Sequence, residues 1–426
     1  MPSSGVLPPD LTPSALAAPS TPLGSFAASA VSWTAWTTLM GFVGLTALAV
    51  LAAGPAARRI GPEALGAVTA RLSRAALVVG VLAVPAVLSD LAQSASDNGG
   101  YDYSAAWDSL YDGTNAGRLS GLEVAFILIG VALIAPLAVR RVAAGRVGRW
   151  LLPSALGAGA IALGTTKFPD AVPTDWGRTS FETLMWMLHL LGGGVWIGGL
   201  LGLALLALPG AVARQDSAAF WSGTIRRFSA AAMSCVAAIA LSGLFLYWEH
   251  VDGPSQLFTT MYGRVLGVKI LLFGTMLLLG TFNQFWLHPR IDALRSAGDE
   301  RPLRAILLKQ FPAVVGAEAV LGLAVLFVAP FLHGSARNQA YQAGLAAHAA
   351  TAANGKLPKL AAKVPDAATW MWGSAETIAV IALMIIGYRV SGRIARRRAA
   401  ALAASAPLGA EFEEQAAAVE HAGRLI

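Results

Sequence analysis

Nine stretches of about 20 predominantly apolar residues run through this chain, and that is the length of helix needed to cross roughly 30 Å of hydrocarbon. They are Val31 to Ala53, Ala75 to Ala92, Ser120 to Val139, Trp150 to Thr165, Phe181 to Leu208, Phe228 to Trp248, Val265 to Trp286, Ala305 to Leu332 and Thr369 to Tyr388. Backbone in lipid must satisfy its own hydrogen bonds, so repeated spans of this kind select a helical bundle. The fourth stretch is short and glycine-rich, which on length alone leaves the count between eight and nine. Composition agrees: 56% of residues are hydrophobic, 13% are charged and the mean hydropathy is +0.60. A water-soluble fold of this composition would lack the polar side chains to cover its surface.

Charge asymmetry fixes the count and the orientation. Arginine and lysine near span ends collect on the cytoplasmic side. Every second connection is basic: Arg58, Arg59, Arg71 and Arg74; then Arg140, Arg141, Arg146 and Arg149; then Arg214, Arg226 and Arg227; then Arg290, Arg295, Arg301 and Arg304; and finally Arg389, Arg393, Arg396, Arg397 and Arg398. The connections between them carry Asp97, Asp102, Asp108 and Asp112, the mixed run Lys167 to Arg178, and Glu249 with Asp252. Nine spans place all five clusters inside, with the amino terminus outside and the carboxyl terminus cytoplasmic. The expected fold is therefore an all-α polytopic transmembrane bundle with its basic connections on the cytoplasmic side. The long outer loop, Gly334 to Asp366, carries three lysines, but long loops cross regardless of charge.

The expected organisation is an extracytoplasmic disordered tail over 1–30, a four-helix membrane region over 31–165, a second over 181–335, an outer loop over 336–368, a ninth span over 369–390 and a cytoplasmic tail over 391–426. The first residues are rich in Pro, Ser and Ala and do not read as a signal peptide. The formal net charge of +7 does not indicate nucleic acid, because the basic residues sit between apolar runs and not on one folded face. Cys235 is the only cysteine, which leaves no internal disulfide and no zinc-cysteine cluster. No catalytic constellation is visible, and the chain is not expected to be an enzyme.

Polar groups within spans are costly, so they are the first functional candidates. Span five is the richest. Glu182, Met185, Trp186, His189, Gly193 and Trp196 share one helical face, making the Met185 thioether and the His189 imidazole neighbours. Thioether and imidazole suit copper and would not hold calcium or magnesium. The alternative is a buried histidine hydrogen-bonded to the next helix, with Met185 as packing filler. His250, His333 and Met261 fall at outer span ends and are secondary ligand candidates. Gly194 and Gly198 have the small-xxx-small spacing that lets a second helix approach closely. Lys269 and Glu318 lie deep in spans seven and eight. They either bridge each other or leave Glu318 to an ion or proton path, and the bridge removes both buried charges at once.

Three stretches resemble signatures of the CopD family of bacterial copper resistance and import proteins. These are His189 to Leu200 (HLLGGGVWIGGL), Thr259 to Lys269 (TTMYGRVLGVK) and Val315 to Gly322 (VGAEAVLG). The resemblance covers about residues 181 to 335, and His189, Tyr262, Arg264, Lys269 and Glu318 fall on its motifs. It implies a helical membrane protein that handles copper ions, often beside a periplasmic copper-binding partner of the CopC type. The outer segments here are too short for a β-sandwich of about 100 residues, so such a partner would be a separate protein. Two other readings stand beside copper transport or resistance. One is a b-type haem electron-transfer protein with His189 paired to His250 or His333. The other is an accessory or assembly subunit of a copper-containing membrane enzyme.

Overall fold

A computed structural model describes residues 25–96, 100–210, 212–213, 216–283, 285, 310–332, 334–348 and 360–423. Asp97, Arg214, His333 and the arginines at 290, 295, 301 and 304 lie outside the described residues, as does most of the expected amino-terminal tail. Among the described residues, nine long helices occupy the places of the nine apolar stretches: α1 (Phe26–Ile60, with a π turn at Ala49–Ala53), α2 (Pro62–Ser94), α3 (Asn115–Ile134), α4 (Gly148–Thr165), α5 (Trp176–Ala207), α6 (Ser217–His250), α7 (Met261–Phe282), α8 (Gln310–Val328) and α9 (Ala367–Gly423). No strand occurs among the described residues. Eight of the nine are long and apolar enough to cross a membrane, and α4 is the exception. The chain is a polytopic helical membrane protein.

α4 nevertheless traverses the bundle. At one end, Arg71 donates to the carbonyls of Leu208 and Pro209 at 3.2 and 3.0 Å, and Arg74 donates to that of Ala138 at 2.9 Å. The α1–α2 connection, the end of α3 and the end of α5 therefore lie together. At the opposite end, Lys167, just past α4, sits over the rings of Trp36 and Trp186, near the starts of α1 and α5. Only a crossing α4 joins these two sets. Its 18 residues reach about 27 Å, at the short end of what a bilayer requires. Arg71 and Arg74 thus have a local role as well, donating to carbonyls that a helix end leaves free.

Side-chain caps set helix starts ahead of the apolar runs. Ser25 Oγ accepts from the Ala28 amide, so α1 begins at Phe26, inside the expected tail. Asp175 accepts from the Arg178 amide at 3.0 Å and starts α5 at Trp176, more than a turn before the apolar stretch. Thr114 and Thr260 cap α3 and α7 in the same way. The expected outer loop is not all loop: Ala336–His348 is a helix. α9 and the expected tail form one helix that runs on to Gly423.

α1 is the hub, packed by α2, α4, α5 and α8. Its Phe42 is 2% exposed, and its ring lies against three glycines on three helices. A Cβ at Gly80, Gly130 or Gly159 would come within 2.9, 3.0 or 2.8 Å of that ring. The α1–α5 crossing is closer still. A Cβ on Gly44 would fall 2.3 Å from the Gly194 carbonyl oxygen and 2.4 Å from Gly198 Cα. The spacing of Gly194 and Gly198 thus serves the approach expected of it, and the partner is α1. The two expected four-helix regions are joined across this seam into one bundle, with α9 at the periphery against α6.

Candidate functional site

The ends of α5, α6 and α7 that the charge pattern expects to face outward meet under the helix Ala336–His348 and the segment Leu360–Asp366. α5 starts with the capped turn that carries Arg178, whose Nε donates to Glu182 Oε1 at 2.5 Å and whose Nη2 reaches Glu249 Oε1 at 3.4 Å. Glu182 is therefore an ion-pair partner, one turn outward of Met185 on the α5 face, and not a free donor. Arg178 Nη1 also donates to the Lys363 carbonyl. Lys363 Nζ in turn donates to the carbonyls of Trp248 (2.7 Å) and Val251 (2.9 Å) and lies 3.0 Å from Asp252. Arg337 donates to the same carboxylate at 2.8 Å. The outer segment is thereby strapped onto the end of α6.

Partial burial alone would raise the Asp252 carboxyl, but Lys363 and Arg337 overcome it and hold its pKa below the ordinary carboxylate value. A depressed folded pKa means that the strap's ionic contribution is complete at neutral pH. It is lost only as pH falls through that depressed value. Lys363→Ala is expected to release the strap, seen as faster proteolysis and amide exchange over 360–366 at neutral pH, while Lys363→Arg retains protection. Equal protection in the alanine variant would show that the carbonyl contacts are dispensable.

Beneath the strap, His250 ends α6 with Nδ1 2.8 Å from the Leu246 carbonyl, to which the Nδ1 proton is donated. Its ring stacks on Tyr262, with centroids 5.9 Å apart and planes 8° apart. The Tyr262 amide donates to Gln339 Oε1 at 3.0 Å, tying α7 to the helix above. Met261 is 44% exposed beside it, and Arg264 donates to the Phe258 carbonyl at 2.9 Å.

His189 lies deeper, between α5 and α6, with Nδ1 3.1 Å from Ser242 Oγ. Ser242 is fully buried, and its hydroxyl also faces the carbonyls of Ala238 and Ile239 at 2.6 and 3.1 Å. With its proton given to the Ala238 carbonyl, the hydroxyl oxygen accepts from His189 Nδ1–H and leaves Nε2 as the free donor atom, the tautomer a metal ligand needs. Trp186 stands edge-on to His189 at 6.4 Å and carries Lys167 on its own face at 4.4 Å. Burial holds the Lys167 ammonium below its ordinary pKa. Lys269 is the charged group on α7 whose field reaches His189.

The candidate ligands separate into layers. His189 is level with Ser242, and His250 is eight residues further along α6, which is about 12 Å outward. Met185 lies between, about 6 Å outward of His189 on α5. A metal–imidazole bond is about 2 Å, so His189 and His250 cannot share one ion, nor can they be the two axial ligands of one haem. The sequence could not give this separation, because only the α5–α6 pairing fixes relative height. Among the described residues no group of three His, Cys, Asp or Glu side chains is assembled. The Lys269–Glu318 bridge also does not form: Glu318 is 3% exposed, and its Oε1 is buried without a partner. Ser242 was missed from the sequence because a serine within an apolar span gives no signal until a histidine is known to face it.

Comparison with known proteins matches residues 222–332 to the family described as CopD, copper resistance protein D. The match takes in most of α6 and all of α7 and α8, with His250, Met261, Tyr262, Arg264, Lys269 and Glu318, and begins beyond Met185 and His189. Among curated proteins, the chain is 34% identical over 146 residues to "Copper transport protein CutJ" of Bacillus subtilis (strain 168), covering 34% of this chain and 24% of that protein. It is 32% identical over 171 residues to "Copper resistance protein D" of Pseudomonas syringae pv. tomato, covering 39% of this chain and 54% of that one. The chain thus spans about half the length or less of these relatives. No solved structure matches it. Residues 222–332 of this polytopic membrane protein thus match the family described as CopD, copper resistance protein D.

Proposed function

We propose that this protein passes copper ions across a bacterial cytoplasmic membrane, with the amino terminus outside and the carboxyl terminus inside. The observation that carries the reading is His189, a partly buried imidazole whose Nδ1 is engaged by Ser242 and whose Nε2 is left as the donor atom one turn below the Met185 thioether. Together with the CopD-type match of α6 to α8, that donor pair favours copper as the cargo.

Sites spaced about 6 Å apart along an axis allow an ion to move between them without a single deep well. In this reading His250 and Met261 at the outer mouth receive the ion. Met185 takes it next, His189 holds it with Nε2, and Lys269, at about the same depth on α7, opposes a second cation. A separate outer copper-binding protein of the CopC type would deliver it beside the strap. The chain carries out no covalent step, since the ion is cargo.

The test is equilibrium Cu(I) binding to the detergent-purified chain. Replacing Met185 and His189 together by alanine is expected to weaken binding about tenfold or more, and Ser242→Ala to weaken it less by freeing the imidazole to rotate. Unchanged affinity in the double variant would remove the pair from the path. Loss with His250→Ala alone would move the primary site to the mouth.

A further inference from the structure

Glu318 takes no part in the copper column, yet it is the most unusual polar side chain of the CopD-type region. It lies within the apolar stretch of α8, is 3% exposed, and buries Oε1 with no hydrogen-bond partner. An ionised carboxylate held in that way inside a bilayer is too costly to persist, whereas a protonated carboxyl is tolerable. Among the described residues, its surroundings offer no substitute for the proton. α8 packs on α1, α5 and α7. α1 carries no titratable group in its apolar stretch, α5 carries His189 with Arg178 and Glu182 at its outer end, and α7 carries Lys269 with Tyr262 and Arg264 at its outer end.

The height of Glu318 follows from one contact. Gly322 lies against Ile197, and Glu318 is one helical turn further inward on the same face of α8, about 6 Å below that level. His189 is eight residues outward of Ile197 on α5, about 12 Å above it. The two are therefore about 18 Å apart along the bundle. The edge-to-face pair of Trp196 and Phe273, at 6.1 Å, lies between them with the buried Met276. That apolar layer divides an outer compartment, where the copper donors stand, from an inner one in which Glu318 is the buried acid.

We propose that Glu318 is a proton-exchange site on the inner side of this layer, protonated at rest and able to release its proton as a cation passes. The step is an acid dissociation: the O–H bond breaks, its electron pair stays on the carboxylate, and the proton leaves toward the inner face. Nothing is oxidised or reduced. A monovalent copper ion entering as one proton leaves keeps the charge within the bilayer constant, which removes the main cost of moving either alone. This coupling rests on the copper reading above, and the protonation of Glu318 does not.

The experiment has two arms on the full chain in proteoliposomes. Infrared spectra in H2O and D2O at neutral pH are expected to show an isotope-sensitive C=O band of a protonated carboxyl that is missing in Glu318→Gln and shifted in Glu318→Asp. The glutamine variant should melt as wild type does, because it keeps the shape and loses only the proton. Identical spectra for wild type and Glu318→Gln would overturn the proposal. In the second arm, Cu(I) entering wild type from the outer face should be accompanied by proton release at the inner face, and Glu318→Gln should lose most of that proton signal. Copper movement with no proton signal in wild type would overturn the coupling and leave the copper reading standing. A Glu318 band with no copper movement would support the proton site and overturn the copper reading.

Discussion

Alanine at Gly44 or at Gly198 is expected to collapse the yield of folded protein, while alanine at Gly193 leaves it intact. A methyl group on Gly44 would lie 2.3 Å from the Gly194 carbonyl oxygen, and one on Gly198 would lie 2.6 Å from Gly44 Cα. Backbone faces backbone at both sites, so no side chain can swing aside and the helices must separate. Overpacking of a well-fitted core costs about 1–3 kcal/mol and sometimes more, and this geometry belongs at the upper end. Since apolar side chains gain little by leaving lipid, close packing is a main source of helix association in a membrane, and losing it at the hub is not compensated elsewhere. Gly193 has nothing within 4 Å of its would-be Cβ. Alanine there also favours helix by about 1 kcal/mol over glycine. Thermal stability and monodispersity of the three purified variants in one detergent provide the check. Equal behaviour of Gly193→Ala and Gly198→Ala would show that the α1–α5 contact is looser than the structure has it.

Removing the Phe42 ring is expected to cost a comparable amount for the opposite reason. Its surroundings on α2, α3 and α4 are glycines at 80, 130 and 159, chosen to fit the ring, and they have no side chains with which to fill the void. Large-to-small changes of a buried phenylalanine cost about 3–5 kcal/mol, with the higher values where the site cannot collapse. The complementary change is informative. Gly159→Ala in the wild type places a methyl group 2.8 Å from the Phe42 ring and should destabilise, but in Phe42→Ala the ring is gone and the close neighbour left is Val43 Cγ2, at 3.1 Å. A double-mutant cycle is therefore expected to give a coupling of about 0.5–3 kcal/mol, with the pair less damaged than the sum of its parts. Additive losses would mean that α4 does not touch the ring. Because α4 is the one of the nine helices that falls short of the length and apolarity needed to cross a membrane, this contact also tests whether it is held in the bundle by packing.

Both predictions concern α1 and its glycine partners, and they mark where sequence reading stops. Gly194 and Gly198 were legible as a place where some helix comes close, since their spacing puts both on one face. That the helix is α1 and that the contact residue is Gly44 depends on long-range packing, which no local pattern carries. The same holds for the ligands. Met185 and His189 share a face by periodicity alone. His250 and His189 belong to different helices, and only the pairing of Ser242 with His189 fixes them about 12 Å apart in height. The expected Lys269–Glu318 bridge failed because depth along two spans does not say which faces meet.

Hydropathy by itself determined that the chain crosses a membrane repeatedly, and the alternation of arginine clusters gave a self-consistent frame for nine crossings, because the bilayer acts on each segment independently. Helix ends escaped it: Asp175 and Ser25 extend α5 and α1 beyond their apolar runs, since a helix stops at its cap and not at the edge of the hydrocarbon. The tertiary structure alone decided what the polar residues face. It set Ser242 against His189, Lys363 across the end of α6, and, among the described residues, no hydrogen-bond partner against Glu318 Oε1, because those relations are distances between helices and a linear sequence contains no such distance.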